Sequence, residues 1–510
     1  MFYLLLGICL VNNLVAQIGP ISNFQVASSG LSPVVAASPN GEFMVVWRKG
    51  QASAVNPLPF FPPLHLYGRV FEADGTPKGP EFEVYTGAAL SGHVTLKADD
   101  LGNYTCFWSI TPTRSGPGGS IPTIFMQRFD SKGRARTPGE SVITTGKNRD
   151  AEIIYHHFDA DTASDGSFVI VWSESLQLYD AQSIIYAQRF DSRANPIGSE
   201  FVVTPGDPEP YQSQTMVRVA LDEEGEIAIA WLHRYFPEFP SAETSIQLKV
   251  AIFDNNGVLL DSYVVLEHEV IKGHEHHAPK IDKVAGIGFV VMTNHTTKRD
   301  IDEGETITKE VSSTFEGRFY PDQGEPTDLK IFPVFKVIGT TLFDIALTAQ
   351  GKIAVVFDGE KPDQKYPHFV EFNQDFSISS DYKILNESGT ISDNREVGPT
   401  ITPLPNGNYI YSFTKLPEGF PENQYYEVRA GVIQMNNAGA ISPLTPTFQL
   451  LNNDQFEVQF ETLPGRNYRI RRGADPRNLI DEEVILGEGN SITRQYSIGL
   501  KQEIFSISEE

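Results

Sequence analysis

The chain has 510 residues, too many for one core of ordinary size, so several domains or a repeat architecture are required. Hydrophobic residues at 40% and charged residues at 21% are those of a soluble globular protein, and beyond the first residues no run approaches the roughly 18 apolar residues of a membrane span. Acidic residues outnumber basic ones 65 to 40, and the net charge of -25 disfavours nucleic acid, anionic lipid and polyanionic partners at long range.

Phe2 to Val15 are almost wholly apolar and end in Ala16 followed by Gln17, which reads as a signal peptide over residues 1–16, without a basic n-region, and implies export to the periplasm, the cell surface or the medium. Ile8 before Cys9 makes a poor lipidation signal. With that segment removed Cys106 is the sole cysteine, so no intramolecular disulfide forms and stability must come from packing.

The four tryptophans act as a ruler. Trp47, Trp108, Trp172 and Trp231 each lie six residues after a glycine (Gly41, Gly102, Gly166, Gly225), as in Gly-Glu-Phe-Met-Val-Val-Trp. The same step runs on from Gly286 to Met292, Gly351 to Phe357 and Gly407 to Phe413, which makes seven units spaced 56 to 65 residues apart. Each unit has room for about four ordinary strands with their turns. An apolar segment before the glycine and a buried run after it form a β-hairpin. An Arg-aromatic strand with a turn follows, as in Arg128-Phe129-Asp130 to Gly133 and Arg189-Phe190-Asp191. A short fourth strand closes the unit: Glu81-Phe82-Glu83-Val84 in the first, Glu200-Phe201-Val202-Val203 in the third, Thr447-Phe448-Gln449-Leu450 in the last. An isolated copy, Asn23-Phe24-Gln25-Val26, precedes the first unit, placed to complete or flank the last blade and remove the open edge of the ring.

On these motifs residues 22–450 resemble the tandem β-propeller repeats of secreted bacterial proteins. The resemblance implies an all-β, seven-bladed propeller of four-stranded blades and no particular activity. Residues 452–510 break the period with alternating strands and a Pro464-Gly465-Arg466-Asn467-Tyr468 turn. They resemble the small C-terminal β-sandwich modules that end many secreted bacterial proteins.

The loops joining second to third strands, and fourth strands to the next blade, share one face of a propeller, and here they are the long ones. They carry proline with Phe60, Phe61, Tyr235, Phe236, Phe239, Phe420 and Tyr425. Such loops either form an aromatic rim for a glycan or peptide or fold back over their own blades. His93, His157 and His277 each lie nine residues before the unit glycine, at the start of the innermost strand on that face. Imidazoles converging on a channel mouth would bind Zn²⁺ or another divalent metal, or act as acid and base; solvated loop histidines are the plainer alternative. His156, Glu267, His268, His274, Glu275 and His276 add to the local density without matching a named metal motif.

Secreted seven-bladed propellers include polysaccharide lyases that use His and Tyr, sometimes around a metal, and the cluster is similar to such a site in kind. Asp159, Asp161 and Asp165 before Gly166 depart from a calcium-loop spacing, and no phosphate-binding loop, dinucleotide fingerprint or nucleophile elbow is present. Arg466, Arg469, Arg471, Arg472 and Arg477 form the one basic cluster, either a dock for an anionic surface polymer or, the plainer reading, solvated edge-strand residues. The sequence thus favours an exported, non-catalytic binding or scaffold protein for an extracellular glycan or protein ligand, with no cofactor expected. The alternative is a His-dependent or metal-assisted polysaccharide lyase or hydrolase.

Overall fold

The computed structural model describes residues 17–50, 64–87, 90–110, 123–136, 141–145, 154–175, 183–204, 212–235, 245–269, 274–276, 278–302, 307–322, 325–333, 342–361, 364–380, 383–385, 398–415, 427–436, 447–452, 455–461, 467–473, 480–486, 491–497 and 504–509. The chain divides into two compact units, Ile18–Met435 and a second that takes Asn436–Glu510 with the residues up to Gln17.

The larger unit is a seven-bladed β-propeller, as the tryptophan ruler requires. Blade 1 consists of Leu31–Ala37, Phe43–Gly50, Leu64–Phe71 and Phe82–Tyr85, hydrogen-bonded in that order. Blade 2 repeats this with Leu90–Ala98, Tyr104–Ile110, Thr123–Phe129 and Ser141–Thr145; blade 3 with Ile154–Thr162, Phe168–Ser175, Ser183–Phe190 and Pro196–Val202; blade 4 with Gln212–Leu221, Ile227–Tyr235, Ser245–Phe253 and Leu259–Glu269. In blade 5 two short strands, His274–His276 and Lys280–Val284, both pair with Gly288–Asp302, which continues to Ile307–Pro321 and Lys330–Pro333. Blade 6 runs Phe343–Leu347, Ile353–Lys361, Gln364–Phe372 and Lys383–Ile384. Blade 7 takes three consecutive strands, Thr400–Pro403, Tyr409–Lys415 and Glu427–Asn436, and its outer strand is Gln17–Ala27 from the other end of the unit.

The ring is therefore closed by the early strand alone. Thr447–Asn452, expected as the fourth strand of the seventh unit, pairs instead with Gln455–Glu461, in a sheet completed by Ser491–Ser497. A blade has one outer edge, and the early copy of the motif occupies it. A second three-stranded sheet, Ile480–Leu486, Asn467–Gly473 and Ile504–Glu509, completes the described part of the C-terminal unit. The side chains of Arg466, Arg469, Arg471, Arg472 and Arg477 lie outside the described residues.

The repeat has a physical cause at each of its marks. All seven ruler glycines have positive φ, between 73° and 86°, a conformation costly for a residue with a Cβ. Six residues on, Trp47, Trp108, Trp172, Trp231, Met292, Phe357 and Phe413 are all buried. Apolar clusters join neighbouring blades, as in the group joining Met44, Val46 and Leu66 of blade 1 to Leu96, Cys106 and Trp108 of blade 2. The fourth-strand phenylalanine reaches into the next blade: Phe82 lies against the turn at Gly133, and Phe201 against the turn at Gly257. Phe24 packs against Phe71 of blade 1 with ring centroids 5.4 Å apart and the rings tilted, so the early strand serves its neighbour as the strands of Phe82 and Phe201 serve theirs.

Candidate functional site

Each innermost strand starts, and each second strand ends, on the long-loop face. The seven innermost strands surround a cavity of about 450 Å³ along the central axis, within the range of about 300–1,000 Å³ typical of small-molecule sites. Its wall is charged. Lys97, Asp161, Asp282 and Arg218 contribute side chains from blades 2, 3, 5 and 4, and Lys280 meets Asp344 at 3.2 Å.

Several of the carboxylates tie one blade to the next. Asp159 Oδ2 accepts from the Val219 N–H at 3.2 Å, Asp161 Oδ2 from Leu221 at 2.8 Å, Asp282 Oδ2 from Leu347 at 2.6 Å, and Asp344 Oδ2 from Ile401 at 3.1 Å. Inner strands of adjacent blades share no sheet, and these side chains satisfy backbone donors that would otherwise face the channel. Asp159 and Asp161 are thus channel residues, while Asp165 accepts from the Ser167 N–H at 2.8 Å within its own turn, so the three form no calcium loop.

His93 stands at the cavity wall, with Nε2 3.6 Å from Asp159 Oδ1 and its ring edge-on to Phe158. Asp159 also accepts from Thr95 Oγ1 at 2.9 Å and from the Ala160 N–H at 2.9 Å. Burial works to raise the Asp159 carboxyl, but His93, Arg218 and Lys97 outweigh it and hold the group well below the usual carboxylate range. Burial likewise opposes charge on Lys97, yet Asp161 at 3.0 Å, with Asp282 and Asp159, keeps its ammonium above the ordinary value. Asp282 is pushed up to about 6 by burial, which Lys97 only partly offsets.

His93 and His157 hold equivalent registers, each preceding the residue opposite the blade tryptophan, Val94 across from Trp108 and Phe158 across from Trp172. In blade 5 the residue opposite Met292 is Lys280, so the matching slot belongs to Pro279. The inner hairpin of blade 5 is two residues shorter, with its turn closed from Ile287 N–H to Val284 C=O. His277, nine residues before Gly286, lies outside the described residues. Among the expected rim aromatics Tyr235 is described, 40% exposed at the end of the second strand of blade 4. Phe60, Phe61, Phe236, Phe239, Phe420 and Tyr425 lie outside the described residues.

A second group of titratable side chains bridges blades 4 and 5. His268 is the penultimate residue of the outer strand of blade 4, while His295 and Glu316 lie on the second and third strands of blade 5. His268 Nε2 is 2.7 Å from Glu316 Oε2, and the two imidazoles stack with centroids 5.2 Å apart. The bond to Glu316 raises the pKa of His268 above its ordinary value, against the opposing effect of burial. Among the described residues this is the one set of three His, Cys, Asp or Glu side chains arranged to hold a metal ion. His268 stood out in the sequence only as part of a His-rich loop. His295 and Glu316 carried no signal, because the pairing of Thr293 with Glu316 becomes visible only once the long hairpin of blade 5 is in register.

No protein-family model matches the chain, and no curated protein does. Among solved structures, polysaccharide lyase Uly1 aligns with 81% of this chain and 99% of its own, at 9% identity and a TM-score of 0.49. The NanB sialidase from Streptococcus pneumoniae aligns over 81% and 70% of the two chains, at 11% identity and a TM-score of 0.40. The α-L-arabinofuranosidase Arb93A from Fusarium graminearum aligns over 83% and 98%, at 10% identity and a TM-score of 0.39.

Proposed function

We propose that the protein is an exported, polysaccharide-handling propeller that takes a glycan at the long-loop mouth of its channel, with His93 as the proton-transfer group. The observation that carries this reading is the His93–Asp159 pair at the wall of the 450 Å³ cavity. A carboxylate held ionised beside an imidazole orients the ring, the arrangement a general acid or base needs. Asp159 acts here as a positioning residue, fixed by Thr95 and the Ala160 and Val219 amides. The net charge of -25 makes a neutral or weakly acidic glycan a better substrate than a densely anionic one.

A second reading, a binding protein without turnover, is supported by the channel charges themselves. Lys97 and Lys280 are engaged by Asp161 and Asp344, which tie neighbouring blades together. Incubation of the purified protein with neutral and uronic-acid polysaccharides separates the two readings. New reducing ends report hydrolysis, and unsaturated uronic-acid ends report elimination. Turnover lost in His93→Ala supports the enzyme; binding without turnover in wild type selects the second reading; neither binding nor turnover across the panel rejects both.

A further inference from the structure

We infer that His268, His295 and Glu316 form a binding site for a late first-row divalent cation, zinc in the first place, at the seam between blades 4 and 5. The site is separate from the channel and independent of the reading given to His93.

The donor set selects the metal class. Two imidazole nitrogens and one carboxylate suit Zn²⁺ and its neighbours, whereas Ca²⁺ and Mg²⁺ require an oxygen-rich shell. The potential ligand atoms all lie within 4.8 Å of one another. Around a tetrahedral zinc, with bonds of about 2.0–2.2 Å, ligand atoms stand about 3.3 Å apart. The 2.7 Å contact between His268 and Glu316 must then open slightly while the widest separation closes, a rearrangement within reach of side-chain torsions.

Burial points the same way. The Glu316 side chain is only 4% exposed, and a carboxylate withdrawn from water needs a cationic partner. His268 is 29% exposed, so the site opens to solvent on one side and an ion can enter. Three protein ligands leave one coordination position for water or a ligand group, the pattern of catalytic rather than closed structural zinc sites. The backbone frame is firm, since His295 and Glu316 sit on paired strands fifteen residues long. Their neighbour across the seam comes from the histidine-bearing end of Leu259–Glu269.

The test uses the full chain without a polyhistidine tag, stripped with chelator and titrated with Zn²⁺ by calorimetry, with metal content measured after dialysis. One equivalent per chain is expected. His268→Ala, His295→Ala and Glu316→Gln should each weaken binding by at least about 100-fold, beyond the 10- to 100-fold typical of outer-shell changes. His93→Ala should bind as wild type does. Co²⁺ should give the visible absorption of a four-coordinate N/O site in wild type and lose it in Glu316→Gln, a nearly isosteric change that keeps the fold testable. Absence of a stoichiometric site in wild type, or full affinity retained in both His295→Ala and Glu316→Gln, overturns the proposal.

Discussion

Phe24, near the start of the described chain, packs so closely on Gly75 of blade 1 that a Cβ at Gly75 would lie 2.5 Å from the ring. The contact crosses the point where the ring closes, so the ends of the propeller are held by side-chain packing as well as by the pairing of Gln17–Ala27 with Glu427–Asn436. Arg429 adds a bond from Nε to Asn23 Oδ1 at 3.0 Å. Phe24→Ala should lower stability by about 3 kcal/mol, the low end for a core phenylalanine because the ring is partly buried. Deleting residues 17–27 should cost more, since the outer edge of blade 7 then loses its partner. Urea unfolding of both variants measures this.

The same contact recurs along the chain and gives a paired prediction. Gly133 has φ +78° and a Cβ there would stand 2.4 Å from Phe82. In blade 3 the equivalent position is Ala194 at φ +65°, and the preceding fourth strand, Ser141–Thr145, carries no phenylalanine. Gly133→Ala should destabilise through both strain and collision, by about 2 kcal/mol or more, whereas Ala194→Gly should be neutral or stabilising by up to about 1 kcal/mol. Equal effects at the two sites would contradict the packing argument.

Lys283 has a side chain 1% exposed and lies 3.2 Å from Asp222, 3.1 Å from Glu226 and 3.2 Å from Asp322, joining blades 4 and 5. Burial disfavours its charge, but the three carboxylates together raise its pKa. Lys283→Met removes the cation and leaves the acids facing one another, so a loss of about 3–5 kcal/mol is expected by thermal or denaturant unfolding.

Asp282 gives a pH signature. Its carboxyl is raised to about 6 in the folded protein, against about 4 in an unfolded chain. The contribution of Asp282 to stability is thus complete below pH 4 and fades as pH rises through 6. Asp159, held low, behaves in the opposite sense, and its contribution is lost as pH falls below 4. Asp282→Asn cannot ionise, so between pH 4 and 7 it should gain roughly 1–2 kcal/mol relative to wild type, a figure reduced for the side chain's exposure to channel water. Melting curves at the two pH values decide it.

The fold was legible because its marks are local and physical. The ruler glycines satisfy left-handed turns, the residue six positions on fills the space between blades, and the fourth-strand phenylalanine meets the next blade's turn. Even units five to seven, without tryptophan, kept a large apolar side chain at Met292, Phe357 and Phe413. The place of the early strand beside blade 7 was legible from the isolated Asn23–Val26 copy, whereas the departure of Thr447–Leu450 from that blade was not, since both carry the same pattern and only pairing chooses between them. The site was less readable still. His93 and His157 share one register, while the hairpin of blade 5 is shorter by two residues and has Pro279 in the matching slot. His295 and Glu316 lie 21 positions apart in the sequence, and nothing but the alignment of two long strands brings them together.

Uptake of ligand at the long-loop mouth of the channel is read by amide hydrogen exchange with and without an oligosaccharide identified from the polysaccharide panel. Protection is expected at the start of the inner strands of blades 2 and 3, around His93 and His157. The opposite end of the channel, at the turns of Gly102, Gly166 and Gly225, should be unchanged. Protection confined to those turns, or to the C-terminal unit, would contradict it.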